Sequence, residues 1–318
     1  GCTEHGGDVV WTEWTNSGAL PAQGSFCLET DVDLGKGITV APGTTLNICL
    51  NGHSITRAGG RIFTINGGTL NICDHENAGG QVIGASKKTL RGGIVDVRKP
   101  KGGTVGGTFN LYGGTLTGGL AVKDGKGKNG DGGAVYIGAG TFRMYGGEIS
   151  DNTASNKGGG VYMEASVGNY QGGILNVSGA AKITDNTVKG VANNVYLPSG
   201  KTIAIGTGSL SGTIGVTTEP KPAAGKPVKV IADTTGIIGL TTHVVSDDNA
   251  YETAVKGNTI VLQVVGDTGG ETTQPVLVSE ITLNTDSATL KVGDTETLTA
   301  TVTPENATKK DVIWTSSN

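Results

Sequence analysis

The pentapeptide Thr-Leu-Asn-Ile-Cys occupies residues 45–49 and recurs letter for letter at residues 69–73, 24 residues further on. Related five-residue words follow at residues 108–112, 141–145, 174–178 and 202–206. A word that returns at intervals of this size is typical of a solenoid, in which each copy takes the same place in a successive turn. The words therefore predict stacked coils whose length varies while one strand persists.

The second and fourth letters of every word are apolar. Alternation over five residues predicts a β-strand with one buried face, because successive side chains of a strand point to opposite sides. Stacked in parallel at about 4.8 Å, these residues should form two apolar ladders inside a tube. The pairs are Leu46/Ile48, Leu70/Ile72, Phe109/Leu111, Phe142/Met144, Leu175/Val177 and Ile203/Ile205.

Two further strand words belong to the later coils. One precedes the first word, as in Gly-Gly-Ala-Val-Tyr-Ile from Gly132 and Gly-Gly-Val-Tyr-Met from Gly159. The other follows it, as Gly-Gly-Glu-Ile-Ser-Asp-Asn-Thr from Gly146. The 56 glycines among 318 residues suit tight corners that need a positive φ. Three short strands per coil predict an all-β fold, a right-handed parallel β-helix.

Composition divides the chain into segments. Trp11, Trp14 and Phe26 precede the first clear coil and suggest a cap, and residues 266–275 hold no apolar side chain and read as a linker. We predict an N-terminal cap, a β-helix with C-terminal closing strands, a linker and a last small module, at residues 1–35, 36–265, 266–277 and 278–318.

The stretch from Leu46 to Ile55, together with the Gly-Gly-x-Val-Tyr words, resembles the β-helix regions of large surface proteins of gut Firmicutes. The resemblance covers roughly residues 9–265. Its motifs describe a scaffold and carry no activity of their own.

Residues 278–318 resemble the first half of a bacterial Ig-like domain of group 2. The alternating Leu-Thr-Ala-Thr-Val strand from Leu298, the turn at Pro304 and the tryptophan at Trp314 come in the family's order. In this family, such modules are extracellular stalks and spacers. The resemblance implies that residues 278–318 form part of a β-sandwich. Half a sandwich leaves an apolar strand face in water, so we expect an uncovered face made by Ile281, Leu283, Leu298, Ala300, Val302 and Trp314.

The cysteines are Cys2, Cys27, Cys49 and Cys73. An even number in an extracellular chain favours disulfides. Cys49 and Cys73 share a place in consecutive coils, near enough for a bond, so we predict the pairs Cys49–Cys73 and Cys2–Cys27. A zinc site that adds His53 and His75, or buried thiols, are the alternatives.

Two aspartates are candidate catalytic residues. Asp151 and Asp185 hold the same place in the third strand word, and a carboxylate pair on neighbouring coils could flank a glycosidic bond. The alternative is structural, because each belongs to an Asp-Asn-Thr corner, where Asp and Asn support tight turns.

The outward letters of the first word form a candidate ligand-binding face. Tyrosine rings beside amide groups suit carbohydrate or protein recognition, although stacked Asn and Tyr ladders also stabilise solenoids that bind nothing. The residues of this face are Asn47, Asn71, Asn110, Tyr112, Arg143, Tyr145 and Asn176.

Two functions remain open. We expect an adhesin or binding module at the bacterial cell surface or secreted, which presents the β-helix to a host glycan or host protein. The alternative is an enzyme that degrades polysaccharides, a glycoside hydrolase or lyase. The net charge of −4 without a basic cluster argues against nucleic acid as the partner. The sequence has no apolar stretch long enough to predict direct membrane insertion. No cofactor is expected, although the loop from Asp124 to Asp131 offers oxygen ligands for calcium.

Overall fold

The computed structural model describes residues 9–75, 78–85, 89–127, 129–168, 171–234, 239–267, 278–305, 307, 310–312 and 314–315. Within these residues, a sheet of eight parallel strands contains the repeated words. Residues at equivalent positions of the repeated pentapeptide are paired, Leu70 with Phe109 and Phe109 with Phe142, which confirms the predicted stacking. In spatial order the strands are β1 (Thr12–Trp14), β2 (Gly24–Leu28), β5 (Thr45–Cys49), β8 (Thr69–Cys73), β11 (Gly107–Leu111), β15 (Gly140–Met144), β19 (Ile174–Gly179) and β24 (Ala204–Leu210).

Two more sides complete the tube. The second side holds β3 (Val32–Asp33), β6 (Ser54–Thr56), β9 (Gln81–Ile83), β12 (Thr115–Thr117), β16 (Glu148–Ile149) and β20 (Lys182–Ile183). The third side holds β4 (Ile38–Val40), β7 (Phe63–Asn66), β10 (Val95–Arg98), β14 (Val135–Ile137), β18 (Val161–Met163) and β23 (Val195–Leu197). Strand β25 (Ile214–Thr218) pairs with both β20 and β23 and makes the two sides one curled sheet. The chain is therefore an all-β protein built as a parallel β-helix.

Short elements cover one corner and the C-terminal end. The corner sheet holds β13 (Leu120–Ala121), β17 (Thr153–Ala154), β21 (Thr187–Val188) and β22 (Val191–Ala192). Beyond β25 come β26 (Val228–Ile231), the short helix α1 (Leu240–His243), β27 (Val244–Ser246), β28 (Tyr251–Lys256) and β29 (Thr259–Val264). Strand β27 extends the curled sheet beside β25, and β26, β29 and β28 form an antiparallel sheet.

The predicted apolar pairs lie in the core of the tube, together with residues of the second and third sides. Each of these side chains is at most 1% exposed, except Ile205, which is partly buried. The rings of Phe109 and Phe142 stack with their centroids 4.6 Å apart. Ile205 pairs with Val177 directly before a register shift between β19 and β24, where extra residues in β24 interrupt the alternation.

A buried carboxylate locks an early corner. Asp74 is 1% exposed and accepts hydrogen bonds from the backbone N–H groups of Gly52, Gly79 and Gly80, each at 2.8 Å. Backbone donors that leave water must find a partner. The Asp74 side chain supplies that partner for three of them at once.

The segment predicted as an N-terminal cap contributes further rungs. Strands β1 and β2 pair in parallel, and Phe26 lies beside Ile48 of the next rung. Trp14 packs edge-on against Phe26, with ring centroids 4.9 Å apart, and joins the core. The described part of this segment therefore covers the first coils with apolar rings while it continues their sheet.

The predicted Cys49–Cys73 disulfide is wrong. Cys27, Cys49 and Cys73 hold equivalent places in three consecutive strands, and no disulfide joins them in the described part of the chain. Directly paired residues of parallel strands keep their Cβ atoms near the strand spacing of about 4.8 Å, whereas a disulfide needs about 3.5–4.5 Å. Hydrogen bonding to Cys73 instead lowers the pKa of the Cys49 thiol to about 6. Cys2, of the predicted Cys2–Cys27 pair, lies outside the described residues.

The C-terminal module shows one strand pair in its described residues. Strands β30 (Glu280–Leu283) and β31 (Ala300–Thr303) are antiparallel. Ile281 and Trp314 are each 52% exposed, and Leu283 and Leu298 are each 48% exposed. Four residues of the expected apolar face are therefore exposed, whereas the other two, Ala300 and Val302, are half-buried. The greater part of the predicted linker lies outside the described residues.

Candidate functional site

The structure places the residues of the predicted ligand-binding face on one side of the first sheet. Asn71, Asn110, Arg143 and Asn176 stand in register on four adjacent strands. The Nδ2 of Asn110 donates to Oδ1 of Asn71 at 2.7 Å, and that of Asn71 donates to Asn47 at 2.6 Å. Much of the hydrogen-bonding capacity of these amides is thus used between rungs, as in a ladder that supports the solenoid.

Two tyrosines flank this ladder. The rings of Tyr112 and Tyr145 stack with centroids 4.8 Å apart, and Tyr145 is 38% exposed. An exposed aromatic edge can contact a ligand. The face remains a predicted binding surface, and Tyr145 is its most open ring.

Asp151 and Asp185 occupy equivalent corners of neighbouring coils. Both are exposed and have a left-handed backbone, with φ of 58° and 60°. The N–H of Asp151 donates to the carbonyl of Asp185 at 3.2 Å. Aspartate tolerates this conformation better than most residues. The corner geometry explains why both residues are aspartates, and their catalytic role stays a prediction.

The asparagines that follow these aspartates form a buried ladder. Asn152 is 1% exposed and Asn186 is 0% exposed, and Nδ2 of Asn152 donates to Oδ1 of Asn186 at 2.8 Å. Asn186 donates in turn to Asn194 at 2.9 Å, and Asn194 donates to Asp247 at 2.5 Å. The ladder therefore runs through the coils and ends on a carboxylate beside the closing strands.

A pocket of about 420 Å³ lies at that end, between the last coils and the closing strands. Val216 of β25 and Leu262 of β29 supply buried apolar lining. The polar lining comes from the segment before β23, from β25, from the turn before β28 and from the start of β28. Its residues are Asn193, Thr217, Lys221, Asp247, Asp248 and Tyr251.

Two neighbouring carboxylates in this pocket have opposite environments. Burial raises the pKa of Asp247, although the carboxylate accepts hydrogen bonds from Thr217 and Asn194. The backbone N–H of Ala250 and then Lys221 lower the pKa of Asp248. The Nζ of Lys221 lies 3.2 Å from Oδ2 of Asp248. The pocket therefore offers a charge-paired rim beside one carboxylate whose pKa is raised by burial.

The Lys221 side chain also approaches an aromatic ring. Its Nζ lies 5.8 Å from the centroid of Tyr251, whose side chain is half-buried at the start of β28. Hydroxyl, amide and carboxylate groups thus stand around one ring in a concave site. Such a combination suits a small polar ligand with an apolar face.

The outer row of the third side is a second aromatic feature. Tyr136, Tyr162 and Tyr196 stack with centroid separations of 5.2 Å and 5.7 Å. Lys157 lies over the Tyr196 ring and pairs with Glu219, which also accepts a hydrogen bond from the Tyr196 hydroxyl. Tyr136 and Tyr196 are only 6% and 5% exposed, so their rings are used in packing.

Sequence patterns did not predict the pocket or the tyrosine row. The polar run from Ser246 to Asn249 between two strands is the only signal for the pocket, and it resembles an ordinary turn. The tyrosine row has a clearer signal, since the second strand word repeats Val-Tyr at Tyr136, Tyr162 and Tyr196.

Two further expectations from the sequence concern a zinc site at the cysteines and histidines and insertion into a membrane. Among the described residues, no three His, Cys, Asp or Glu side chains come together as a metal-binding group. The described part of the chain holds no helix with the length and apolar character that a membrane crossing needs.

Comparison with known proteins identifies the C-terminal module. The curated proteins and the solved structures contain no match to the chain. Residues 277–318 match the family of bacterial Ig-like domains, group 2. Domains of this family are common in bacterial surface proteins. The chain thus consists of a parallel β-helix followed by a bacterial Ig-like region of group 2.

Proposed function

We propose that the chain is an extracellular binding module of a bacterial surface protein, in which Ig-like spacers present the β-helix to host glycan. The Ig-like region supports a place at the bacterial surface. The observation that carries the proposal is the pocket of about 420 Å³, which lies in the size range of small-ligand sites. A concave site of this kind suits the end of a glycan chain better than the broad surface of a host protein.

The chemistry of the pocket supports a sugar. Thr217, Asn193 and Asp247 can exchange hydrogen bonds with hydroxyl groups, and Tyr251 offers a ring for the apolar face of a sugar. Lys221 and Asp248 neutralise each other. The pocket therefore selects for hydroxyl groups rather than for a strong charge.

Binding is tested by incubating the protein with a panel of host and plant glycans, and by measuring both retention and the release of new reducing ends. We expect retention of at least one glycan without release. A protein that retains none of them would contradict the proposal. A Tyr251→Ala variant, checked for its fold by circular dichroism, should lose the retention.

An enzyme that hydrolyses glycosidic bonds is the second candidate, and the carboxylates of the pocket favour it. Environments that push the pKa values of neighbouring carboxylates apart are typical of an acid and a base. Asp247, with its raised pKa, would be the general acid, and Asp248, with its lowered pKa, would be the ionised partner. Reducing-end release by the wild type that disappears in Asp248→Asn would establish this function in place of simple binding.

A further inference from the structure

Three arginines crowd one buried carboxylate on the third side of the β-helix, and a fourth arginine lies beside them. Asp96 is 0% exposed, and its Oδ2 lies 3.1 Å from Nη1 of Arg61 and 3.5 Å from Nε of Arg91. Arg98 donates a hydrogen bond to the same oxygen. Arg57 donates to the carbonyl of Arg61 and completes the group, the arginine cluster.

The arginine cluster has more positive charge than the described carboxylates around it neutralise. Asp96 supplies one negative charge, and Glu164 adds another on the side of Arg91. Burial first, and then the charges of the neighbouring arginines, lower the pKa of Arg61 in spite of Asp96. Among the residues that the structure describes, two positive charges of the cluster therefore have no carboxylate to neutralise them, in a chain whose net charge is −4.

Some of the donor groups of the cluster are also unused. Nε of Arg57 and Nε of Arg98 are buried and have no hydrogen-bond partner within the described residues. The side chains of Arg91 and Arg98 are 37% and 35% exposed. The cluster is thus reachable from solvent, and its arginines are held by a carboxylate and by backbone carbonyls.

The cluster and the pocket lie on one outward row of side chains. Asp96 pairs with Tyr136, and the row continues through Tyr162 and Tyr196 to Thr217 in the pocket lining. Four strand spacings of about 4.8 Å make this row about 19 Å long. The pocket and the arginines therefore lie on the same side of the β-helix, at a separation that an oligosaccharide can span.

We propose that the arginine cluster binds an oxyanion of the glycan, a sulfate or carboxylate group, so that the ligand of this protein is an acidic glycan. Guanidinium groups match such oxyanions with paired hydrogen bonds. The inference rests on the proposed glycan binding and narrows it to acidic chains. Lys229, an exposed lysine of β26 outside the pocket, the cluster and the face of the first sheet, provides a matched control because its loss changes the net charge equally.

The test is titration calorimetry of the full chain with dextran sulfate, polygalacturonate, neutral dextran and sodium sulfate. We expect Arg98→Gln to weaken binding of an acidic polymer about tenfold, while Lys229→Gln leaves it unchanged. Arg98→Lys, which keeps the charge and loses the planar fork, should fall between them. Circular dichroism melts of the variants report whether each one is folded.

Several outcomes would overturn the inference. They are an equal loss in Arg98→Gln and Lys229→Gln, neutral dextran binding as tightly as dextran sulfate, and sodium sulfate binding as tightly as the polymer at equal sulfate concentration. Acidic binding that is lost in Tyr251→Ala and kept in Arg98→Gln would overturn it as well, and would leave the proposed function standing. Retention of no glycan at all is the separate failure of the proposed function.

Discussion

Replacement of Phe142 by alanine removes a side chain from the centre of the stacked core. Phe142 is fully buried and lies between Phe109 and Leu175 on the adjacent rungs. A buried Phe→Ala change costs about 3–5 kcal/mol, of which the stacked ring pair contributes about 0.5–1.5 kcal/mol. Each coil packs only on its two neighbours, so both interfaces of this coil are weakened. We expect the free energy of unfolding to fall by about 4 kcal/mol.

The assay is urea unfolding followed by circular dichroism. The neighbouring residue Arg143 points outward on the same strand, and Arg143→Ala should change the free energy of unfolding by about 0.5 kcal/mol or less. Superimposable unfolding curves for Phe142→Ala and the wild type would refute the stacked-core explanation. An equal loss in both variants would refute it too, because the two faces of the strand would then be alike.

Three further predictions concern buried polar groups. Asp74→Ala leaves three backbone donors without their acceptor, and urea titration should show a loss of about 3 kcal/mol; an unchanged midpoint would contradict this. The raised pKa of Asp247 means that folding favours its protonated form, so this contribution is full below about pH 4 and is lost as the pH rises through the folded-state pKa. Melts of the wild type should then lose stability relative to Asp247→Asn as the pH rises, whereas parallel melts would contradict the shift. Alkylation of the denatured, unreduced protein should label Cys49 and Cys73. If neither cysteine were labelled, the Cys49–Cys73 disulfide would have to exist after all.

The register of the β-helix could be predicted from the sequence because a strand has a period of two. A slip by one residue would turn Phe109 and Phe142 from the core to the solvent, so their shared position in the word determines their pairing. The alternation fails beyond Ile205, which still pairs with Val177, because β24 then falls out of register with β19 before Leu210. Local patterns do not encode such a bulge, since it arises from how the last coil meets the closing strands.

The disulfide prediction failed because it considered only the separation of Cα atoms. Stacking does bring Cys49 beside Cys73, as expected. The parallel ladder, however, also holds their side chains in the same direction, which keeps the Cβ atoms too far apart for the bond. A correct placement of residues can thus accompany a wrong inference about their chemistry.

The pocket could not be predicted, because its parts come from distant segments of the chain. Asn193, Thr217 and Asp247 meet only after β25 joins two sides of the tube and β27 extends the sheet. No repeated sequence motif marks the end of the β-helix where these residues meet. The tyrosine row was visible in the repeats, but the letters around Tyr136 are all apolar, so period-two alternation could not show which way its ring points.

Glycan retention by two single tyrosine variants tests the central claim most directly, because it compares the pocket with the face of the first sheet. The claim is that the pocket beside Tyr251 holds the sugar. Retention on whichever glycan binds the wild type should be lost in Tyr251→Ala and kept in Tyr145→Ala, both variants being folded by circular dichroism. Loss in Tyr145→Ala with full retention in Tyr251→Ala would contradict the claim and would place binding on the asparagine and tyrosine face instead.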